Sequence, residues 1–199
     1  MLMTQADIIW RFIREHHGQV TIADVESIGL SKKVLYRMAQ ANQIEKLDPG
    51  VFIDPKEFGD NLAGLQYRFP KGIYFKDTAL FLHGMIDRTP EIYEMNFPMS
   101  NPHSASQNTQ VKMYRQIERL YSIGIEKVKS PGGHLVKTYN IERTLCDIIR
   151  KRDHTDAETL GQAMRNYAVM PKKNLLRLIE YADLFKVKEE IENYMAVLL

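Results

Sequence analysis

Between Ser31 and Asn42 the chain carries Lys32, Lys33 and Arg37 and no acid. The same stretch repeats apolar residues at Val34, Leu35, Met38 and Ala41, the spacing of one buried helix face, with Ser31 as the cap. That spacing predicts a helix over about 32–42 whose outward face gathers the three cations with Tyr36 and Gln40.

Its surroundings restrict the fold further. Ile8, Ile9, Phe12 and Ile13 lie on one face of a helix over residues 4–17, with Thr4 as N-cap and Gly18 past its end. Thr21-Ile22-Ala23-Asp24 supplies a variant capping box for a second helix over about 21–28, which Gly29 stops. After the third helix, Ile44–Leu47 and Val51–Ile53 flank an Asp48-Pro49-Gly50 turn, the pattern of a hairpin. Three helices, a Gly-containing turn and a hairpin make a winged helix-turn-helix over residues 1–56, whose last helix enters the DNA major groove. The expected DNA contacts are Thr21, Ser31, Lys32, Lys33, Tyr36, Arg37 and Gln40, with Lys46 on the wing holding the flanking backbone. Lys and Arg reach phosphates or guanine edges, Gln pairs with adenine, and hydroxyls reach phosphate. The competing reading is a solvated basic face, because Arg11, Arg14, Lys32, Lys33, Arg37, Lys46 and Lys56 are balanced by Asp7, Glu15, Asp24, Glu26, Glu45, Asp48 and Asp54. DNA binding therefore requires that charge be segregated within the domain or supplied from beyond it.

Composition narrows the remaining classes. A chain of 199 residues with net charge +2 fits one large or two small domains, at roughly 100–200 residues each. One cysteine, Cys146, excludes an internal disulfide framework and a Cys-rich zinc site and suits a reducing cytoplasm. No apolar run approaches the ~18–20 residues that span a bilayer, and the N-terminus lacks a signal-peptide layout. The expectation is a cytoplasmic protein that does not enter membranes.

Beyond the joint at Asp54–Gly59, residues 57–199 read as a second, mixed domain with a small β-sheet and a helical C-terminal half. Strands are expected at 73–75, 92–98, 123–128 and 135–139. Helices are expected at 61–68, at 77–84 with Asp77 as cap, and at about 141–152, 156–168, 172–183 and 187–198. Ser100–Thr109 is an expected loop, and Pro171 an expected helix start. The fold class is α+β. Tyr36-Arg37, Pro49-Gly50-Val51-Phe52, Thr78-Ala79-Leu80-Phe81-Leu82-His83-Gly84-Met85 and Tyr139-Asn140-Ile141-Glu142-Arg143-Thr144-Leu145-Cys146-Asp147 occur in that order. This series resembles the AbiEi-type abortive-infection antitoxins of type IV toxin–antitoxin systems. The resemblance implies a bacterial antitoxin, often of phage defence, that represses its own operon at an inverted-repeat operator, with cooperative assembly on the DNA. It also implies a nucleotidyltransferase-like toxin counteracted without a stable complex.

The second domain shows no catalytic set, metal site or cofactor motif. Arg143 and Asp147 stand at i, i+4 and are expected to pair and pin their helix to the sheet; an exposed pair of this kind contributes only about 0.3–0.5 kcal/mol. His83 reads as a helix-end histidine with no carboxylate beside it, and Cys146 as a small buried residue. Asp153-His154-Thr155-Asp156 is poor ligand geometry for a metal, and Pro131-Gly132-Gly133-His134 reads as a hairpin turn rather than a phosphate loop. Arg150-Lys151-Arg152 ends one helix, where the dipole favours cations; Lys172-Lys173 begins another, where it does not. Both groups are expected to touch DNA backbone or another anionic partner. Two further functions remain open at this point: a ligand-responsive winged-helix repressor without a toxin partner, and an enzyme that modifies the toxin or its target.

Overall fold

The Thr4 and Thr21 caps form where the sequence places them, while the expected Ser31 cap is displaced by one residue. In a computed structural model, which describes residues 3–100, 110–150 and 156–199, Thr4 caps α1 (Gln5–Glu15) and Thr21 caps α2 (Ile22–Ser27). Each threonine accepts from the backbone N–H three residues on, and Asp7 or Asp24 reaches back to the cap N–H, so both are complete capping boxes. α3 spans Lys33–Gln40. Its formal N-cap is Lys32, and Ser31 Oγ still accepts from Lys33 N at 3.3 Å. Ala41, expected on the inner face, is exposed, and Ala39 packs against the core instead.

The chain forms two compact units, one of residues 1–70 with 129–136, the other of 71–128 with 137–199. In the first, β1 (Gln19–Thr21), β2 (Glu45–Asp48) and β3 (Val51–Ile53) make an antiparallel sheet in the order β1-β3-β2. This completes a winged helix-turn-helix around Ile9, Ile13, Val25, Leu35, Met38, Ile44 and Phe52. Burying side chains of this size contributes roughly 1.5–3 kcal/mol each against leaving them exposed. Gly50, at φ +80, turns the hairpin, and a Cβ there would lie 3.0 Å from the Tyr67 ring. The unit continues into α4 (Asn61–Arg68), which Asp60 caps.

Asp60 has a second task. Its carboxylate accepts from Ser130 Oγ and lies 2.8 Å from His134 Nδ1, while its backbone N–H donates to the buried Gln19 side chain at 2.9 Å. His134 Nε2 in turn reaches the His16 carbonyl at 3.1 Å. Burial pushes Asp60 up, but hydrogen bonds from His134 and Ser130 outweigh it and hold the carboxyl below its ordinary range. The Asp60 carboxylate raises the His134 imidazole above its usual value against the opposing effect of burial. Gly132 is required here, since a Cβ would sit 2.6 Å from Asp60 Cβ.

The second unit is α+β, as expected. β4 (Ile73–Tyr74), β5 (Tyr93–Pro98), β6 (Val111–Gln116), β7 (Ile125–Lys129) and β8 (Leu135–Tyr139) form a sheet ordered β6-β5-β4-β8-β7. β4 pairs antiparallel with β5 and parallel with β8; β5 and β6 are parallel, in register from Tyr93↔Val111 to Pro98↔Gln116. α5 (Lys76–Leu82) begins one residue before the expected Asp77 cap, and its Phe75 cap makes no side-chain bond. α6 (Glu118–Tyr121) is a single turn without a sequence signal. α7 (Ile141–Arg150), α8 (Ala157–Val169), α9 (Leu175–Phe185) and α10 (Lys188–Leu198) make the helical C-terminal half, around Leu145, Ile148, Met164, Tyr167, Leu178 and Ile191. The expected helix start at Pro171 is corrected: Pro171–Lys173 precede the true cap, Asn174, which accepts from Arg177 N at 2.9 Å.

Candidate nucleic-acid interface

α3 presents its polar face because Val34, Leu35 and Met38 are drawn into the core. Ser31, Lys33, Tyr36, Arg37 and Gln40 then line one shallow concavity of about 500 Å³, with Gln5 of α1 at its side and no acid in its wall. None of the seven acids of residues 1–56 lines this concavity. Asp7 and Asp24 are spent in capping boxes, and Asp48 faces Arg68 at 3.9 Å.

Two contacts orient the concavity. The Tyr36 ring meets Phe52 of β3 edge-on, with centroids 5.4 Å apart, which ties the polar face of α3 to the wing. Arg37 Nη2 lies 3.5 Å from Gln5 Oε1 across the α1–α3 junction. Gln5 was absent from the sequence reading; nothing local marks a residue that acts on a side chain 32 positions away. Lys32 and Lys46 are exposed but lie outside the concavity lining, Lys46 on β2 opposite Phe52. Thr21 is engaged in its capping box, with its hydroxyl 2.6 Å from Asp24 Oδ2.

The second unit places its candidates apart from one another in chemistry. Arg150 is exposed at the end of α7, and Lys151 and Arg152 lie outside the described residues. Lys172 is exposed in the turn before α9, and Lys173 donates to the Met170 carbonyl at 3.4 Å. Because the two lysines precede the N-cap, the dipole argument against them at a helix start is weakened. His83 caps α5 as expected, but a carboxylate does stand beside it: Nε2 lies 3.5 Å from Glu126 Oε1 and 2.7 Å from the Tyr139 carbonyl. Cys146 is buried, and burial pushes its thiol far up, away from the thiolate a nucleophile needs. Asp156 caps α8; Asp153, His154 and Thr155 lie outside the described residues.

Residues 7–53 match the family described as "Transcriptional regulator, AbiEi antitoxin". The winged helix is similar to AbiEi antitoxin regulators. The resemblance read from the motifs thus holds over this AbiEi-type segment, which contains all of α1–α3 after Ala6 and the wing. No curated protein matches the chain. Among solved structures, the crystal structure of the RV2827C protein from Mycobacterium tuberculosis aligns at 13% identity and a TM-score of 0.49, covering 98% of this chain and 82% of that one. Among the described residues, no helix is long and apolar enough to cross a membrane.

Proposed function

We propose that this chain is a cytoplasmic DNA-binding antitoxin of the AbiEi type that represses its own operon. Residues 1–56 read an inverted-repeat operator through α3, and residues 57–199 counter a nucleotidyltransferase-like toxin without a lasting complex. The observation that carries the reading is the acid-free concavity of Ser31, Lys33, Tyr36, Arg37 and Gln40, lying inside the segment similar to AbiEi regulators. Lys33 and Arg37 supply phosphate or guanine contacts, Gln40 an amide for adenine, and Lys32 and Lys46 flanking backbone contacts. Arg150, Lys172 and Lys173, with Lys151 and Arg152 from the sequence, are further candidate contacts to DNA backbone or another anionic partner.

The test is fluorescence anisotropy with the DNA upstream of the gene at two salt concentrations, against scrambled DNA. Lys33→Ala/Arg37→Ala is expected to abolish the preference for the operator. It should also flatten the log K against log salt slope by up to about 1.8, at roughly 0.9 per lost phosphate contact. Lys172→Ala/Lys173→Ala is expected to flatten the slope while leaving sequence preference intact. A folded wild-type protein with no preference for its own upstream DNA overturns the reading.

A further inference from the structure

Arg37 borders two hollows of the first unit. One is the concavity of about 500 Å³ that also holds Lys33, Tyr36 and Gln40. The other, of about 360 Å³, is walled by Thr4, Ala6, Met38 and Gln43. Gln5 lines both, and neither wall contains an acid. Among the described residues, Gln5 Oε1 is the side-chain acceptor that the Arg37 guanidinium reaches, from Nη2 at 3.5 Å. A guanidinium only donates, so the Gln5 amide must meet it with its carbonyl oxygen. Gln5 is the first residue of α1, and the capping box fixes the backbone on either side of it. Thr4 N donates to Asp7 Oδ2 at 2.9 Å, and Asp7 N to Thr4 Oγ1 at 3.2 Å. The exposed Gln5 side chain therefore springs from a fixed point.

We infer that Gln5 is a positioning residue for base reading: it aims the Arg37 fork at a guanine, so that a side chain of α1 sets the base that α3 accepts. The inference rests on the DNA reading above. The guanidinium is a planar fork of donors. Gln5 takes one of them, from Nη2, and two of the rest match O6 and N7 of a guanine in the major groove. Without Gln5 the long Arg37 side chain meets phosphates and base edges alike; it keeps its charge and loses its aim. A side chain ordered before binding also surrenders less freedom in the complex. The contact is long in the free protein, so its worth lies in direction rather than in stability. Gln5 is neutral, and its removal releases no fewer counterions from the DNA. Base preference and salt dependence therefore separate: Arg37 governs both, and Gln5 only the first.

The experiment is competition anisotropy with the full chain, using the DNA upstream of the gene as labelled probe and duplexes with each single base-pair substitution as competitors. The position at which Arg37→Ala loses discrimination is the base that Arg37 reads. It is expected to be a G·C pair that the wild type prefers by about 10- to 100-fold. Gln5→Ala is expected to cut that preference by about fivefold or more, with other positions, salt slope and circular dichroism unchanged. Gln5→Glu keeps an acceptor for Arg37 and is expected to retain the preference, while its added charge weakens binding to every duplex. In an Arg37→Ala background Gln5→Ala is expected to change nothing, a coupling that a purely structural role would not show. A Gln5→Ala protein that keeps the full preference, or that binds all duplexes more weakly by one common factor, overturns the inference and leaves the DNA reading standing. So does an Arg37-read position that prefers another base. A folded wild type with no preference for its upstream DNA removes both.

Discussion

Replacing Arg143 by methionine tests a buried side chain of the second unit that makes four hydrogen bonds. The guanidinium is fully buried and donates from Nε to Asp147 Oδ2 at 2.5 Å, from Nη1 to the Leu120 and Ile123 carbonyls at 2.6 and 3.1 Å, and from Nη2 to Gln116 Oε1 at 2.6 Å. Its two faces lie over the rings of Tyr139 and Phe185, at 4.3 and 4.0 Å. An exposed i, i+4 pair is worth about 0.3–0.5 kcal/mol. Breaking a buried pair costs about 3–5 kcal/mol, because the remaining charge is stranded away from water. Asp147 is the stranded group. Burial already raises its carboxyl, with Arg143 the first opposing influence, so the variant lets it rise further and take up a proton. A carboxyl whose folded pKa exceeds its unfolded value weakens the fold at higher pH, so the loss shrinks on acidification. Two separate units argue against a single unfolding transition, and the assay must be local. Amide exchange along α7 is expected to lose about 3–5 kcal/mol of protection in Arg143→Met, and to recover part of it in Arg143→Met/Asp147→Leu. A loss below 1 kcal/mol in the single variant would refute the reasoning.

Two further expectations concern the first unit. Because His134 is raised above 6.5, its bond to Asp60 contributes fully below that pH and is lost as pH rises through the folded-state value. Asp60 is lowered from 3.8, so its contribution is present above that pH and fades on further acidification. Urea titrations should show stability falling as pH rises from 6.5 through the folded-state value, and His134→Gln should remove that fall. Thr21→Ala is expected to cost about 0.5–2 kcal/mol by opening the α2 capping box, with the salt slope of DNA binding unchanged. Weaker DNA binding at unchanged stability and unchanged slope would instead make Thr21 a phosphate contact.

What the sequence carried was local. The 34/35/38 spacing of α3, the Thr4 cap, the Thr21 box and the Pro49-Gly50 turn are each settled by neighbours a few residues apart, and each formed. β1 escaped notice because three residues have no readable period, and its existence depends on Val20 pairing with Phe52. α6, one turn long, was missed for the same reason. The pairing of Arg143 with Asp147 was legible from an i, i+4 spacing.

The sequence by itself therefore determined a three-helix winged domain with a basic, acid-free outer face, followed by an α+β region. Helical periodicity, caps and turns act over a few residues, and the chain displays them directly. The tertiary structure alone decided that Arg143 is a buried hub rather than a surface ion pair, and that Gln5 reaches Arg37. It also placed Asp60 between Ser130 and His134, 70 and 74 residues away. Burial sets what a charge is worth, and burial is a property of the packed chain that no local spacing records.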